Sequence, residues 1–331
     1  MHIATSYIKD YFSIYEMVSD KTWLDSCIVN RCMDLFVDEF IANERLDDSF
    51  RGLVSEAYLP IAERILSWKA KKNKPLVVAI NGAQGTGKST LSRFLSDFFR
   101  VSSDLNACVL SLDDLYLSRA DRSALGKRVH PLLVTRGVPG THDTDLGLDL
   151  IRTLISGSEG VVRTPHFRKE LDDRVEASEW HSVDLPVDIV LFEGWCVSCR
   201  AESKDSLSEV INEFEAESDS EGVWRSYVND RLEGVYRDLF ALVDHTIMLT
   251  VPSFNCILKW RMEQEDKLRL QCESLADGTE QHFMSEAELT HFIAHFERLT
   301  RWMLKDIPSF ADILLYFNED RSFRSLKIND G

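Results

Sequence analysis

The chain has 331 residues, of which 44% are hydrophobic and 28% charged, a composition typical of soluble globular proteins. Its formal net charge of −17 opposes attraction to a polyanion, and no run approaches the roughly 18 apolar residues that span a bilayer, so neither a nucleic-acid nor a membrane partner is expected. Seven cysteines without regular spacing fit a reduced compartment, and the first residues lack a basic stretch followed by an apolar core. We therefore expect a cytoplasmic protein.

The first seventy residues carry no nucleotide motif and are predicted to be mostly helical. Apolar residues recur at helical spacing over residues 32–41 and again over 58–68. The charged run at 69–74 is typical of a solvated connector. We expect residues 1–70 to be a helical addition that packs against a single domain formed by residues 71–331.

After the connector, short apolar runs alternate with helical stretches. This alternation predicts an α/β fold, with a parallel β-sheet flanked by helices on both faces. Ligands of such sheets bind at the carboxyl ends of the strands. The acidic, serine-rich segment 201–222 is expected to be an exposed or mobile insertion. The predicted strands cover residues 76–80, 108–112, 187–192, 246–251 and 313–317.

A glycine-rich segment after the first predicted strand matches the full G-x-x-x-x-G-K-[ST] pattern of a phosphate-binding loop. A chance match in a glycine-rich turn is the weaker interpretation, because a buried strand precedes the segment and a helical stretch follows it. Lys88 can reach the β- and γ-phosphates, and the Ser89 hydroxyl can ligate Mg²⁺. The residues expected to bind the nucleotide are Gly82, Ala83, Gln84, Gly85, Thr86, Gly87, Lys88, Ser89 and Thr90.

Two carboxylates and a phenol, Asp113, Asp114 and Tyr116, follow the second predicted strand, at the edge of the sheet where the phosphate-binding loop opens. A carboxylate in this position suits a base that accepts a proton from an attacking hydroxyl, and Asp113 is our choice for that role. Asp114 could support Mg²⁺ or cap a helix, and the pair could also be no more than a capping turn.

The next dense group of polar residues lies in a loop fixed by Gly137, Pro139 and Gly140. This loop presents a cation, Arg136, whose planar fork suits a carboxylate or phosphate. Thr141 and Asp143 could contact the ligand or cap the helix that starts near Asp145, and His142 could donate to a substrate hydroxyl or be structural.

The third predicted strand ends in an acidic residue, Glu193, followed closely by Trp195. Mg²⁺ prefers hard oxygen ligands, so Glu193 is the expected partner of Ser89, with a salt-bridging carboxylate as the alternative. Trp195 could form a wall of the acceptor pocket or belong to the core. Cys196 and Cys199 form a lone C-x-x-C pair, which we interpret as incidental or buried thiols.

Taken together, these motifs resemble those of the D-glycerate 3-kinase family, P-loop kinases related to pantothenate kinase, uridine kinase and phosphoribulokinase. The resemblance spans residues 75–320 and is most specific over 136–143. It extends to residues 260–265 and 284–292, which look like the lid-side helix of the family and the helix after it. It implies an α/β P-loop kinase domain with an additional N-terminal helical region.

The resemblance implies ATP-dependent phosphorylation of a small hydroxy acid, with Mg²⁺ and ATP as cofactors held by Lys88, Ser89 and Glu193. Asp113 matches the position of the catalytic base. Arg261 resembles a lid arginine that neutralises the transferred phosphoryl group, unless it only pairs with Glu265 on the helix surface. The expected acceptor contacts are Asp114, Tyr116, Arg136, Thr141, His142, Asp143, Lys169, Arg174 and Trp195.

The chain departs from the family pattern beside the acceptor site. Arg168 stands where the family tends to have an acidic residue, while Lys169 and Arg174 still fit substrate or phosphate contacts. This change of charge could favour an acceptor more anionic than glycerate. The run 196–200 also lacks the expected glycine. The alternatives to a glycerate kinase are a kinase for pantothenate or a nucleoside, and a regulatory protein that binds ATP without transferring phosphate to a metabolite.

Overall fold

The computed structural model describes residues 23–263 and 285–329, with side chains left out for residues 23–30 and 287. Helix α1 covers Trp23–Glu44, and a second helical segment, α2, covers residues 50–70 with a wider turn at Val54–Tyr58. Both helical stretches predicted for this region are therefore confirmed. Within the described ranges, no helix is both long and apolar enough to cross a membrane.

Six strands form the main sheet, in the order β10-β9-β8-β1-β7-β2. All neighbours run parallel except β9 and β10, which are antiparallel. The five predicted strands are confirmed, but the edge strand β10 was missed because only three of its six residues are partly buried and it has no apolar run. The strands are β1 (Leu76–Gly82), β2 (Ala107–Ser111), β7 (Ile189–Gly194), β8 (His245–Thr250), β9 (Ile313–Phe317) and β10 (Phe323–Ile328).

Two small antiparallel pairs lie between β2 and β7 in the sequence. Strand β3 (Gly160–Thr164) pairs with β6 (His181–Leu185), and β4 (Phe167–Arg168) pairs with β5 (Asp173–Arg174). The β4–β5 hairpin carries Lys169 between its strands. It thereby brings Lys169 close to Asp113.

The remaining helices cover both faces of the main sheet, as predicted. Alternate residues of β1 point to opposite cores: Leu76, Val78 and Ile80 belong to one, and Val77 and Ala79 to the other. The helices are α3 (Lys88–Ser102), α4 (Arg119–Arg128), α5 (Thr144–Leu154), α6 (Glu213–Ser218), α7 (Val223–Arg231), α8 (Arg237–Phe240), α9 (residues 254–263) and α10 (Glu286–Asp306).

The N-terminal helices share the first of these cores with helix α3, which begins at the phosphate-binding loop. The rings of Phe36 and Phe40 meet the ring of Phe94 edge-on, with centroids 5.5 Å and 5.3 Å apart. Tyr58 also packs on Phe94, at 5.3 Å. Aromatic pairs of this kind add to the stabilisation from burial alone. Residues 36–65 thus contribute to the core that supports the nucleotide side of the sheet.

The segment expected to be an exposed or mobile insertion, residues 201–222, is largely exposed but attached to the body of the protein at defined points. Leu207 and Phe214 are buried in it. Glu215 accepts from Arg298 Nε of α10 at 2.6 Å, and Asp219 pairs with buried Arg225 at 3.0 Å. These buried ion pairs give the segment a fixed position on α7 and α10.

Candidate active site

The phosphate-binding loop curls from the end of β1 into the start of α3. Gly85 and Gly87 have φ of 79° and 89°, the left-handed region that favours glycine, and Gly87 directly precedes α3. The Thr86 hydroxyl donates to the Ala83 carbonyl at 2.8 Å and closes the turn. The loop therefore presents backbone N–H groups at the positive end of a 15-residue helix, an arrangement that favours phosphate binding.

Charged and polar side chains surround this loop. The Lys88 ammonium donates to the Ala83 carbonyl at 3.1 Å, and desolvation lowers the pKa of Lys88 against the opposing effect of the Glu193 and Asp113 charges. On the adjacent strand β7, Glu193 accepts a hydrogen bond from the Ser89 hydroxyl at 3.2 Å. A hydroxyl facing a carboxylate supplies the hard oxygen atoms that Mg²⁺ prefers, so these residues fit the ion.

Asp113 follows β2, on the far side of β7 from the loop. Its Oδ2 atom accepts from Lys169 Nζ at 2.8 Å, and its Oδ1 atom accepts from the Tyr116 hydroxyl at 3.1 Å. Burial alone would raise the pKa of Asp113, but the charges of Lys169 and Lys88 hold it below its ordinary value. The carboxylate is therefore ionised at neutral pH and able to accept a proton.

Asp114 contacts the backbone of the β4–β5 hairpin. Its Oδ1 atom accepts from the Phe167 backbone N–H at 2.9 Å, and burial raises the pKa of this carboxyl. Ser111 caps the short helical turn that follows β2, since its hydroxyl accepts from the Asp113 N–H at 3.3 Å, and both Asp113 and Asp114 lie in the first turn of that helix.

In the loop before α5, Thr141 and Asp143 both have local partners. Thr141 is fully buried, donates to the Val138 carbonyl at 2.7 Å and accepts from the Gly137 N–H at 3.1 Å. The Thr141 hydroxyl therefore has its polar contacts within the loop, and the expected substrate contact of Thr141 stays a prediction. Asp143 caps α5, which was one of the two alternatives predicted for it. One of its carboxylate oxygens accepts the capping hydrogen bond, and the other accepts from Arg174 at 3.2 Å.

Arg136 forms an ion pair with Asp172, a residue of the turn between β4 and β5. Its guanidinium also lies 5.5 Å from the centre of the Phe167 ring. The fork that the sequence predicted for a ligand carboxylate therefore binds a carboxylate of the chain itself. This pair joins the loop before α5 to the β4–β5 hairpin.

His142 is held in one neutral form by Tyr236, a residue that sequence reasoning did not single out. The Tyr236 hydroxyl accepts from the Gly140 N–H at 2.8 Å and lies 2.6 Å from His142 Nδ1. Because the Tyr236 hydroxyl accepts from Gly140, its own proton is available to donate to His142 Nδ1. The hydrogen of the neutral His142 ring is then on Nε2. Burial lowers the pKa of His142 to about 3, and its ring stacks on Tyr116 with centroids 4.4 Å apart. His142 can therefore donate to an oxygen but carries no charge at neutral pH.

Acid should destabilise the protein through its buried histidines. The pKa values of His142 and His295 are lowered by burial to about 3 and about 4, and an unfolded histidine titrates near 6.5. Between these values only the unfolded chain binds the proton, so the free energy of unfolding falls as pH falls, by up to about 1.4 kcal/mol per pH unit for each histidine.

Urea unfolding at pH 7.5, 6.5, 5.5 and 4.5 measures this slope. His295→Leu should flatten it, whereas the exposed control His181→Gln should not; equal slopes in all three proteins would contradict the assignment.

Trp195 belongs to the core rather than to an open pocket wall. The indole N–H donates to the Thr300 hydroxyl at 3.0 Å, and the ring meets Phe296 edge-on at 4.8 Å. Only 5% of this residue is exposed. The neighbouring thiols of Cys196 and Cys199 are also buried, and burial raises the pKa of both. These thiols are therefore poor nucleophiles and poor metal ligands.

Arg261 lies half-buried on α9, the helix after β8. The preceding residue, Trp260, is buried and donates from its indole to the Glu319 carbonyl at 2.7 Å, while Arg321 donates to the Trp260 carbonyl at 2.6 Å. The turn between β9 and β10 thus fixes the helix that carries Arg261. Glu265 and Met284 lie outside the described residues.

Sequence reasoning also missed Arg122, because it lies in a charged stretch that resembles a solvated helix face. The structure places its guanidinium almost fully inside, with 1% of the residue exposed. It donates to the carbonyls of Leu117, Val134 and Asp172 at 3.2, 2.7 and 2.6 Å. One buried cation thus joins three segments that are separate in the sequence.

No family model matches the chain. A Schizosaccharomyces pombe protein named as an uncharacterized kinase is 28% identical over 248 residues, which are 71% of this chain and 85% of that protein. The chloroplastic D-glycerate 3-kinase of Arabidopsis thaliana is 27% identical over 230 residues, 67% of this chain and 46% of that protein. The solved structure of D-glycerate 3-kinase from Cryptococcus neoformans has the same fold, with a TM-score of 0.67 at 24% identity over 82% of this chain and 99% of that one.

The phosphate-binding loop, the parallel sheet flanked by helices and the kinase relatives agree with one another and with the motifs of the sequence. The chain is similar to D-glycerate 3-kinases in sequence and fold, and these similarities support an ATP-dependent phosphotransferase with an alcohol group as acceptor.

Proposed function

We propose that this kinase transfers the γ-phosphoryl group of Mg·ATP to a hydroxyl of a small hydroxy acid, with D-glycerate as the leading acceptor and 3-phosphoglycerate as the product. The observation that carries this proposal is the row of functional groups along three adjacent strands. The phosphate-binding loop follows β1, Glu193 lies in β7 and the ionised Asp113 follows β2. A nucleotide switch has no evident use for an acceptor base at the end of this row.

On the nucleotide side, the N–H groups of the loop and Lys88 would hold the phosphates. Ser89 and Glu193 would hold Mg²⁺, which neutralises phosphate charge when it is bound. Lys88 now donates to the Ala83 carbonyl and can turn to a phosphate oxygen when one is present. Arg261 would add a further positive charge to the transferring group.

On the acceptor side, Asp113 would accept the proton of the attacking hydroxyl. The Tyr116 hydroxyl and the Lys169 ammonium each hold one oxygen of Asp113, which fixes the direction of its remaining lone pairs. The neutral His142 ring stacks on Tyr116. Its Nε2–H would donate a hydrogen bond to an oxygen of the substrate that accepts the phosphoryl group. Positioning and charge compensation are the main contributions that a protein makes to phosphoryl transfer.

ADP release by the purified protein with Mg·ATP tests the proposal. We expect strong stimulation by D-glycerate and little by L-glycerate, pantothenate, uridine or buffer, with phosphoglycerate identified by mass. Stimulation by pantothenate or uridine alone would replace the hydroxy acid with another metabolite. ATP binding without stimulation by any of these acceptors would overturn the proposed acceptor class and favour a regulatory ATP-binding role. A cytoplasmic location stays a prediction.

A further inference from the structure

The basic side chains that the sequence assigned to the acceptor are each paired with a carboxylate of the chain. Lys169 holds Asp113, Arg174 holds Asp143 and Arg136 holds Asp172. An acid acceptor would have to compete with these ion pairs for its own counter-charge. Asp172 is also paired with Arg122, at 3.0 Å, and the Lys169 side chain is 64% exposed, so opening these pairs has only a moderate cost. A cation without a direct ion pair would still bind the acceptor's carboxylate without this competition.

A polar cavity of about 340 Å³ opens beside His142 and Asp143. Arg128 from α4 and Arg231 from α7 line it. Among the described residues, neither guanidinium has an ion pair with a carboxylate, and the buried Nε atom of Arg231 has no hydrogen-bond partner. A volume of this size is typical of small-molecule sites. Within the described ranges, two arginines without a direct ion pair therefore lie beside the predicted acceptor residues.

Local packing holds Arg231 against the loop that carries His142. Gly140 has φ of +102°, and a Cβ at this position would lie 2.6 Å from Tyr227 Cε1 and 3.2 Å from Arg231 Cγ. Only glycine therefore allows the loop to approach α7 so closely. The Arg231 guanidinium in turn lies 6.0 Å from the centre of the Tyr227 ring. The side chain is thus partly positioned before any ligand binds, which lowers the entropy cost of binding.

The cavity also carries groups that suit hydroxyls. Asp121 and Asp145 line it, and Asp121 already accepts from the Ser118 hydroxyl at 2.6 Å. Thr144, the first residue of the 11-residue helix α5, lies in the same wall. A cavity with both cations and carboxylates fits a ligand that has a carboxylate for the arginines and hydroxyl donors for the acidic side chains. A small hydroxy acid has this combination of groups.

We propose that Arg128 and Arg231 form the subsite that binds the carboxylate of the acceptor, with the hydroxyl end of the acceptor directed toward Asp113 across the His142–Asp143 wall. This inference rests on the proposed function, because it assigns a part of the same acceptor site. It makes the two arginines specificity-determining residues for acids over neutral alcohols. It also explains how an acid can bind where Lys169 and Arg174 are already paired.

The test compares Arg231→Gln, Arg128→Gln and Arg231→Lys with the matched control Arg237→Gln, an exposed arginine on the following helix. Each protein is assayed at saturating Mg·ATP against D-glycerate, D-erythronate, D-gluconate and the neutral amide of D-glycerate. Calorimetric titration with the same acids without ATP measures binding directly. We expect the two Gln variants to raise KM for the acid about 10- to 100-fold and weaken its binding equally, with KM for ATP unchanged. Arg231→Lys should restore part of the affinity, and Arg237→Gln should behave as wild type.

The outcomes separate this inference from the proposed function. If D-glycerate is phosphorylated but its KM is unchanged in both Gln variants, the subsite is wrong and the proposed function stands. If a longer acid is the acceptor and its KM rises in the variants, the result supports the subsite but shows that D-glycerate is not the preferred substrate. Equal use of the acid and its neutral amide by the wild type would also overturn the subsite.

Discussion

Asp113→Asn is expected to lower kcat by a factor of about 10²–10⁴ while leaving the affinity for ATP unchanged. Asn keeps the size of the side chain and an oxygen for the Tyr116 hydroxyl, but it cannot take the proton of the acceptor. The Lys169 ammonium would also lose its partner at 2.8 Å. Single-turnover phosphoryl transfer and equilibrium binding of a nucleotide analogue measure the two quantities separately.

Asp114→Asn is the matched control for this change, because the two carboxylates are adjacent in the chain and differ in their contacts. The amide oxygen of the substituted side chain would still accept from the Phe167 N–H, which now lies 2.9 Å from the Asp114 carboxylate. We therefore expect a much smaller loss of kcat. If Asp113→Asn retained wild-type turnover, Asp113 would not be the base; equal large losses in both variants would point to a shared structural effect.

Arg122→Met is expected to lower the free energy of unfolding by about 3–5 kcal/mol. Met fills much of the same volume, but it donates no hydrogen bonds, so the carbonyls of Leu117, Val134 and Asp172 lose the partners that now lie at 3.2, 2.7 and 2.6 Å. The surrounding loops would also be less well fixed, so KM for the acceptor should rise. Urea unfolding, with its midpoint and slope, measures the first effect.

Arg119→Met on the same helix provides the control, because the Arg119 side chain is exposed and only its backbone N–H has a partner in the β4–β5 hairpin. We expect a change within about 0.5 kcal/mol for this variant. Equal losses for Arg122→Met and Arg119→Met would show that helix propensity, and not the buried hydrogen bonds, causes the effect. No loss in Arg122→Met would show that water replaces the guanidinium.

The features that the sequence predicted well are those with a local signature. Parallel strands with apolar runs could be read directly from the sequence, whereas the antiparallel edge strand β10 could not. The glycine pattern after β1 depends only on neighbouring residues. The N-cap role of Asp143 was one of the two alternatives that the sequence offered, because an acidic residue just before an amphipathic helix is a favourable cap.

The features that sequence reasoning missed depend on contacts between distant segments. Tyr236 lies 94 residues after His142, and nothing in its neighbourhood marks it as the group that sets the tautomer of that ring. Arg122 resembles one more charge on a polar helix. Thr141 and Trp195 were placed near the right loop and strand, but their burial and their hydrogen bonds could not be predicted.

The sequence by itself predicted the kind of chemistry, because a phosphate-binding loop and carboxylates at the ends of two strands are each encoded by a few adjacent residues. Only the tertiary structure decided which basic side chains form ion pairs. Lys169, Arg174 and Arg136 each pair with a carboxylate of the protein. Arg128 and Arg231 line a cavity, and among the described residues neither has an ion pair with a carboxylate. The physical reason is that electrostatic energy depends on distance and on exclusion of water, and both are set by segments far apart in the chain. The residue type determines the sign of each charge, and the tertiary packing determines which group of opposite charge lies next to it.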